Sequence, residues 1–81
     1  MWVDRVHLIA ETDRVLRYQS GKRHRRWTAG DTARTLKMPA STISMCVQLE
    51  QGFVSYPQLR QQRSQRAAYD MLQQLERAAR N

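Results

Sequence analysis

The sequence has few residues that break helices or cross-link chains. Three glycines and two prolines in 81 residues leave little material for hairpin turns, so composition alone favours helices. The single cysteine, Cys46, excludes an internal disulfide and a multi-cysteine zinc site, and a buried apolar role is expected for it. No uncharged run approaches the roughly 20 apolar residues of a membrane span, and the N-terminal residues lack the pattern of a secretory signal. We therefore expect one all-α domain over residues 1–81, a small bundle of about four helices, in the cytoplasm.

Acidic residues are also scarce. Seven Asp and Glu accompany fourteen Lys and Arg, which gives a formal charge of +7. Such an excess repels itself and favours an anionic partner, of which nucleic acid is the first candidate. A membrane surface is not expected, because the basic residues do not line one polar face of a long amphipathic helix. Eight of the basic residues lie close together in the first half of the chain: Arg14, Arg17, Lys22, Arg23, Arg25, Arg26, Arg34 and Lys37.

The residue pairs that catalysis or metal binding requires are missing from the sequence. His7 and His24 share no metal-ligand spacing, and neither a Ser-His-Asp set nor a pair of carboxylates can be placed. Asp13 falls within an apolar helical stripe, where we expect it to pair with Arg17 one turn later. We therefore expect no enzyme activity, no metal and no cofactor.

The first half of the chain reads as two helices separated by a basic loop. Apolar residues at helical spacing predict a first helix over residues 1–18, and Gly21 is suited to end it before the basic loop of residues 19–27. Trp27 is expected to belong to the core. Thr28 and Asp31 have the spacing of a capping box, which predicts a second helix from Ala29 to about Leu36.

The second half reads as two further helices. Pro39 predicts the start of a third helix, and Gly52 is expected to close it in a left-handed conformation. A linker over residues 53–57 and a short turn to Gln62 precede Ser64, which is suited to cap a last helix from about Gln65 to Ala79. The apolar stripe of that helix predicts either a homodimer surface or a cover for the core over Val6, Ile9 and Trp27, and it contains Ala68, Leu72, Leu75 and Ala79.

The segment of residues 28–52 has a small residue, Ala33, inside its first helix, an apolar residue, Leu36, before the turn, and a Ser- and Thr-rich second helix with the sequence Ser41-Thr42-Ile43-Ser44. In these residues it resembles the bacterial and phage helix-turn-helix. The wider stretch from Trp27 to Leu59, with the basic turn and helix after it, is similar to the helix-turn-helix part of ParB-like partition proteins and phage regulators. Lys37 stands where the turn commonly has glycine, so this residue must be left-handed or the turn must differ.

This resemblance implies a double-stranded DNA-binding protein, a regulator or adaptor associated with the nucleoid of a bacterial host cell, with a recognition helix over residues 39–51 in the major groove. The expected base contacts are Ala40, Ser41, Thr42, Ser44, Met45 and Gln48. The expected phosphate contacts are Lys22, Arg23, Arg25, Arg26, Thr28, Arg34 and Lys37. Arg60, Arg63 and Arg66 form a second basic strip, and contact with DNA and a merely solvated turn explain this strip equally well. Two other functions fit the same scaffold: a protein-binding module, such as a phage inhibitor or virion component, and the DNA-recognising part of a packaging machine.

Overall fold

A computed structural model describes residues 1–21 and 26–80, and these residues form four α-helices and one short 3₁₀ helix without a strand. The all-α prediction is therefore confirmed. The helices are α1 (Trp2–Gly21), α2 (Ala29–Leu36), α3 (Ala40–Ser55) and α4 (Gln65–Arg80), and the 3₁₀ helix spans Pro57–Gln61 between α3 and α4. None of the described helices is long and apolar enough to cross a membrane.

Helix α3 lies at the centre of the fold and contacts all the other helices. Its buried face meets α1 through Val6 and Ile9 and meets α4 through Ala68 and Leu72. Burial of such side chains is worth about 1.5–3 kcal/mol each, which makes this contact surface the main source of stability. The buried apolar residues of α3 are Ile43, Cys46, Leu49 and Phe53.

Two predicted helix ends are wrong. Helix α1 continues through Gly21, beyond the predicted end at residue 18. Helix α3 continues through Ser55, so Gly52 does not close it and most of the predicted linker is helical. Gly52 is buried, and a Cβ atom there would lie 3.0 Å from Leu72 Cδ1 and 3.2 Å from Leu59 Cδ1. This glycine lets other side chains approach the α3 backbone closely.

The predicted ion pair of Asp13 and Arg17 is present, and it belongs to a larger hydrogen-bond network. Arg17 Nε donates to Asp13 Oδ2 at 2.7 Å, and the buried Thr32 hydroxyl donates to Asp13 Oδ1 at 2.5 Å. Trp27 Nε1 in turn donates to Thr32 Oγ1 at 2.7 Å, while Arg17 Nη1 donates to the Trp27 carbonyl at 3.3 Å. Trp27 is half-buried and lies outside the main apolar cluster, contrary to the prediction of a core position. The network ties the start of α2 to α1.

A second polar contact joins α1 to α3 at the surface. His7 Nδ1 lies 3.0 Å from both carboxylate oxygens of Glu50. The hydrogen bond and the negative charge of Glu50 raise the pKa of His7 above its ordinary 6.5. A group with a raised pKa stabilises the fold below its unfolded pKa and loses that contribution as the pH rises through the folded one, so this pair is strongest under mildly acidic conditions.

Helix α4 closes the bundle. Ser64 Oγ accepts a hydrogen bond from the Ala67 amide at 3.1 Å, which confirms the predicted cap. Of the predicted stripe, Ala68 and Leu72 are fully buried, Leu75 is half-buried and Ala79 is exposed. The stripe therefore covers the core over its first two turns.

Candidate nucleic-acid interface

The start of α2 is fixed by the predicted capping box. The Asp31 amide donates to Thr28 Oγ1 at 3.3 Å, and the Asp31 carboxylate accepts from the Thr28 amide at 2.9 Å. Two amides at the start of the helix are thereby satisfied within four residues of sequence. The Thr28 hydroxyl, a predicted phosphate contact, already takes part in this cap.

The turn between α2 and α3 contains the single positive φ angle among the described non-glycine residues. Lys37 has φ 57° and ψ 47°, which is the left-handed conformation, the first of the two alternatives that the sequence left open. The Met38 amide donates to the Ala33 carbonyl at 2.9 Å and the Lys37 amide to the Arg34 carbonyl at 3.4 Å, which is the Schellman pattern at a helix end. The α2–turn–α3 unit is therefore closed by its own backbone, with the Lys37 side chain exposed.

We expect Lys37→Gly to raise the free energy of unfolding by about 0.5–1 kcal/mol. A side chain in the left-handed region costs roughly 1–2 kcal/mol, and glycine removes that cost. Part of the resulting stabilisation is lost because glycine is more flexible in the unfolded chain. The matched control is Lys37→Ala, which removes the same charge but keeps the backbone cost. Thermal unfolding should place the glycine variant several degrees above the alanine variant, and equal melting temperatures would contradict the assigned turn geometry.

Four of the six predicted base contacts point away from the body of the protein. Ala40, Ser41 and Gln48 are exposed and Ser44 is half-buried, and their helical spacing puts them opposite the buried residues of α3. Thr42 and Met45 are both half-buried, and Thr42 lies one turn before the buried Cys46, on the face of α3 that packs against the rest of the protein, so it is not placed for a base contact. Met45 packs against the core, and Gln65 Nε2 donates to its Sδ at 3.2 Å.

The charge on α3 differs between its two halves. The first half of the helix carries no acidic residue, and Pro39 caps it without a side-chain hydrogen bond. The second half carries Glu50, which is engaged by His7, and it borders a polar groove that contains Glu76 from α4. Gln48, Gln51, Ser55 and Tyr56 line the same groove. An anionic ligand is therefore accommodated best at the N-terminal half of α3, where the positive end of the helix dipole also lies.

The predicted phosphate contacts fall into three groups. Arg34 and Lys37 are exposed beside the start of α3, and Arg34 is also paired with the Asp31 carboxylate. Arg26 is exposed just before α2. Lys22, Arg23 and Arg25 lie outside the described residues.

The basic residues around the start of α4 formed the second basic strip, whose role the sequence left open. Gln65 contacts Met45 and also lies 3.8 Å from Cys46 Sγ. Arg63 and Arg66 flank Gln65 in the chain and are both exposed, with Arg66 3.4 Å from Asp70. Arg60 is placed differently, over the Phe53 ring at 5.2 Å from its centroid. The start of α4 thus contacts α3 through Gln65, and two exposed arginines are its neighbours in the chain.

The opposite side of α3 has mixed charge. A groove between α1 and α3 is lined by Arg14 and Arg17, and also by Glu11, Asp13 and Glu50. Arg14 is hydrogen-bonded to Glu11, and this contact lowers the pKa of Glu11. These arginines are neutralised by neighbouring carboxylates, although the sequence places them within the basic cluster.

Cys46 is fully buried, as expected, and burial raises the pKa of its thiol. Among residues 1–21 and 26–80, no three His, Cys, Asp or Glu side chains lie close enough together to hold a metal ion. Comparison of the chain with protein-family models, curated proteins and solved structures gives no match.

Proposed function

We propose that this protein binds double-stranded DNA through the N-terminal half of α3, with the α2–turn–α3 unit acting as a helix-turn-helix. The observation that carries the proposal is the outward face of Ala40, Ser41 and Ser44, a part of α3 that has no acidic residue and that follows the exposed Lys37. A helix about 10–12 Å wide fits the major groove of B-DNA, which is about 12 Å wide. The small side chains at Ala40, Ser41 and Ser44 let the backbone approach the base edges.

The arrangement of charges supports a defined orientation on the duplex. Arg34 lies in the last turn of α2 and Lys37 in the turn before α3. Arg63 and Arg66 lie at the start of α4, next to Gln65, which contacts Met45 of α3. Phosphate contacts from these two groups position the helix, whereas Gln48 has the amide group that can bind an adenine edge in two places. Glu76 lines the groove that begins at Gln48, so it disfavours insertion of the part of α3 beyond that residue. A regulator or adaptor in a bacterial cell is the role that we propose for such a module.

We expect binding to duplex DNA to fall steeply with rising salt. Six Lys and Arg residues belong to the predicted phosphate contacts, and release of their counterions gives a slope of log affinity against log salt of about −5. The measurement is fluorescence anisotropy on a labelled random duplex of about 20 base pairs, two helical turns, between roughly 50 and 200 mM salt. A single strand of the same sequence is the control.

Absence of binding at the lowest salt, or binding that does not respond to salt, would refute the proposal and favour a protein-binding module. Equal affinity for single and double strands would refute the major-groove contact. A slope much shallower than about −3 would mean that at most three phosphates are contacted.

A further inference from the structure

Asp13 is a buried charge that the proposed interface does not use. It is 2% exposed, and its two carboxylate oxygens accept hydrogen bonds from Arg17 and from the fully buried Thr32. Trp27 donates to Thr32 in turn, and we refer to these four residues as the Asp13 network. Well-packed apolar side chains in place of a buried ion pair are often equally or more stabilising. The Asp13 network is therefore better explained by the direction that hydrogen bonds impose, because apolar packing has no preferred direction.

The Asp13 network provides a directional contact between α1 and α2. Of the eight residues of α2, Thr32 and Ala33 are the buried ones. Ala33 contributes only a methyl group to the core, and Ala29 and Leu36 are partly buried against it. The hydroxyl of Thr32, in contrast, bonds to Asp13 of α1 within a narrow range of distance and angle. This contact therefore sets the orientation of α2 relative to α1.

The same network holds the chain just before α2. Trp27 is bound at two places, since its Nε1 donates to Thr32 Oγ1 at 2.7 Å and its carbonyl accepts from Arg17 Nη1 at 3.3 Å. Arg26 is exposed and is joined to Trp27 by a planar peptide bond. Consecutive Cα atoms are about 3.8 Å apart, so a fixed Trp27 also restricts where the backbone of Arg26 lies relative to both helices.

We propose that the Asp13 network positions Arg26 for contact with a DNA phosphate, with Thr32 and Trp27 as positioning residues. This inference rests on the proposed function, which counts Arg26 among the phosphate contacts. Ordering a chain segment and a long side chain at an interface costs affinity, and a backbone that is already fixed avoids part of that cost. The network therefore raises the affinity for DNA without contacting it.

A double-mutant cycle of duplex affinity tests the proposal, with Trp27→Phe and Arg26→Ala as the two changes. Trp27→Phe keeps an aromatic ring and removes the N–H group that donates to Thr32. We expect each single change to raise the dissociation constant about three- to tenfold, the cost of ordering one long side chain at an interface. When Arg26→Ala is already present, we expect Trp27→Phe to add less than about 1.5-fold, because the residue through which it acts is gone.

Two changes at Thr32 form a matched pair. Thr32→Val keeps nearly the same shape and removes the hydroxyl, whereas Thr32→Ser keeps the hydroxyl. We expect Thr32→Val to weaken duplex binding at least as much as Trp27→Phe does, and Thr32→Ser to restore the dissociation constant to within about twofold of the original. Circular dichroism at the titration temperature verifies that each variant is folded. Trp27→Phe alters only a half-buried side chain, so the cycle can be measured even if Thr32→Val does not fold.

A purely structural role of the network predicts a different outcome of the cycle. A general loss of stability would make Trp27→Phe weaken binding by the same factor with and without Arg26→Ala, and this result overturns the proposal. It is also overturned if Arg26→Ala leaves the duplex affinity unchanged, or if Thr32→Ser binds no better than a folded Thr32→Val variant. In these cases the unmodified chain still binds duplex DNA, so the proposed function stands. Absence of duplex binding by the unmodified chain at the lowest salt would refute both proposals.

Discussion

Replacing Leu72 with glutamate is expected to unfold the chain. Leu72 is completely buried, and its side chain packs on the α3 backbone at Gly52. Loss of a buried leucine alone costs about 2–5 kcal/mol, and burial of an unpaired carboxyl adds to that cost. A domain of this size is stable by only about 4–12 kcal/mol, at the usual 0.05–0.15 kcal/mol per residue.

Ala79→Glu is the matched control for this prediction. Ala79 belongs to the same predicted stripe and the same helix, but it is exposed. Far-UV circular dichroism should therefore show a folded chain with an almost unchanged melting temperature for this variant, and a largely unfolded chain for Leu72→Glu. A folded Leu72→Glu monomer with weakened self-association would instead place Leu72 in an interface between copies.

Features of the fold that depend on neighbouring residues in the chain could be predicted from the sequence. Helix α2 has the predicted bounds because its two ends are determined by local hydrogen bonds, the capping box of Thr28 and Asp31 and the backbone bonds around Lys37. The sequence left the conformation of Lys37 open between a left-handed residue and a different turn, since many but not all helices end on a left-handed residue. The cap at Ser64 follows from the same local reasoning.

Features that depend on distant residues could not be predicted. A glycine near the end of a helical pattern fits a helix end, but Gly52 is required by Leu59 and Leu72, which approach it from other elements. Asp13 had an evident partner in Arg17, whereas its contact with Thr32 joins residues nineteen positions apart. A carboxylate within an apolar stripe indicates a buried partner, but helical periodicity does not identify a partner on another helix.

The candidate DNA-binding face was predictable only in part, because its accessibility also depends on residues that are distant along the chain. Helical periodicity identifies which residues of α3 share a side, but the position of α4 determines which of them remain accessible. Met45 was predicted as a base contact, but the start of α4 partly covers it through Gln65. The arginines at positions 14 and 17 are likewise less available, since each is paired with a carboxylate one helical turn earlier, Glu11 and Asp13, and Glu50 of α3 lies in the same groove.

A change at Ser41 separates the proposed function from a purely structural role of α3. Ser41 is exposed in the first turn of α3, which has no acidic residue and no side-chain cap. A carboxylate near a helix N-terminus stabilises the helix by about 0.3–1 kcal/mol, so we expect Ser41→Glu to raise the melting temperature slightly. If this face meets DNA, the same variant places a negative charge against the phosphates and base edges.

We expect Ser41→Glu to weaken duplex binding about 10- to 100-fold, because loss of one good contact at the bases costs about 1–3 kcal/mol and each 1.4 kcal/mol is tenfold. The matched control is Ser55→Glu, the same change at an exposed position at the other end of α3, beside the groove that contains Glu76. Both variants lower the net charge equally, so a general electrostatic effect would weaken their binding to the same extent. Anisotropy titrations at one salt concentration, with melting curves of both proteins, give the comparison. A stabilised Ser41→Glu variant that binds duplex DNA as tightly as the unmodified chain would show that the N-terminal half of α3 does not face the DNA.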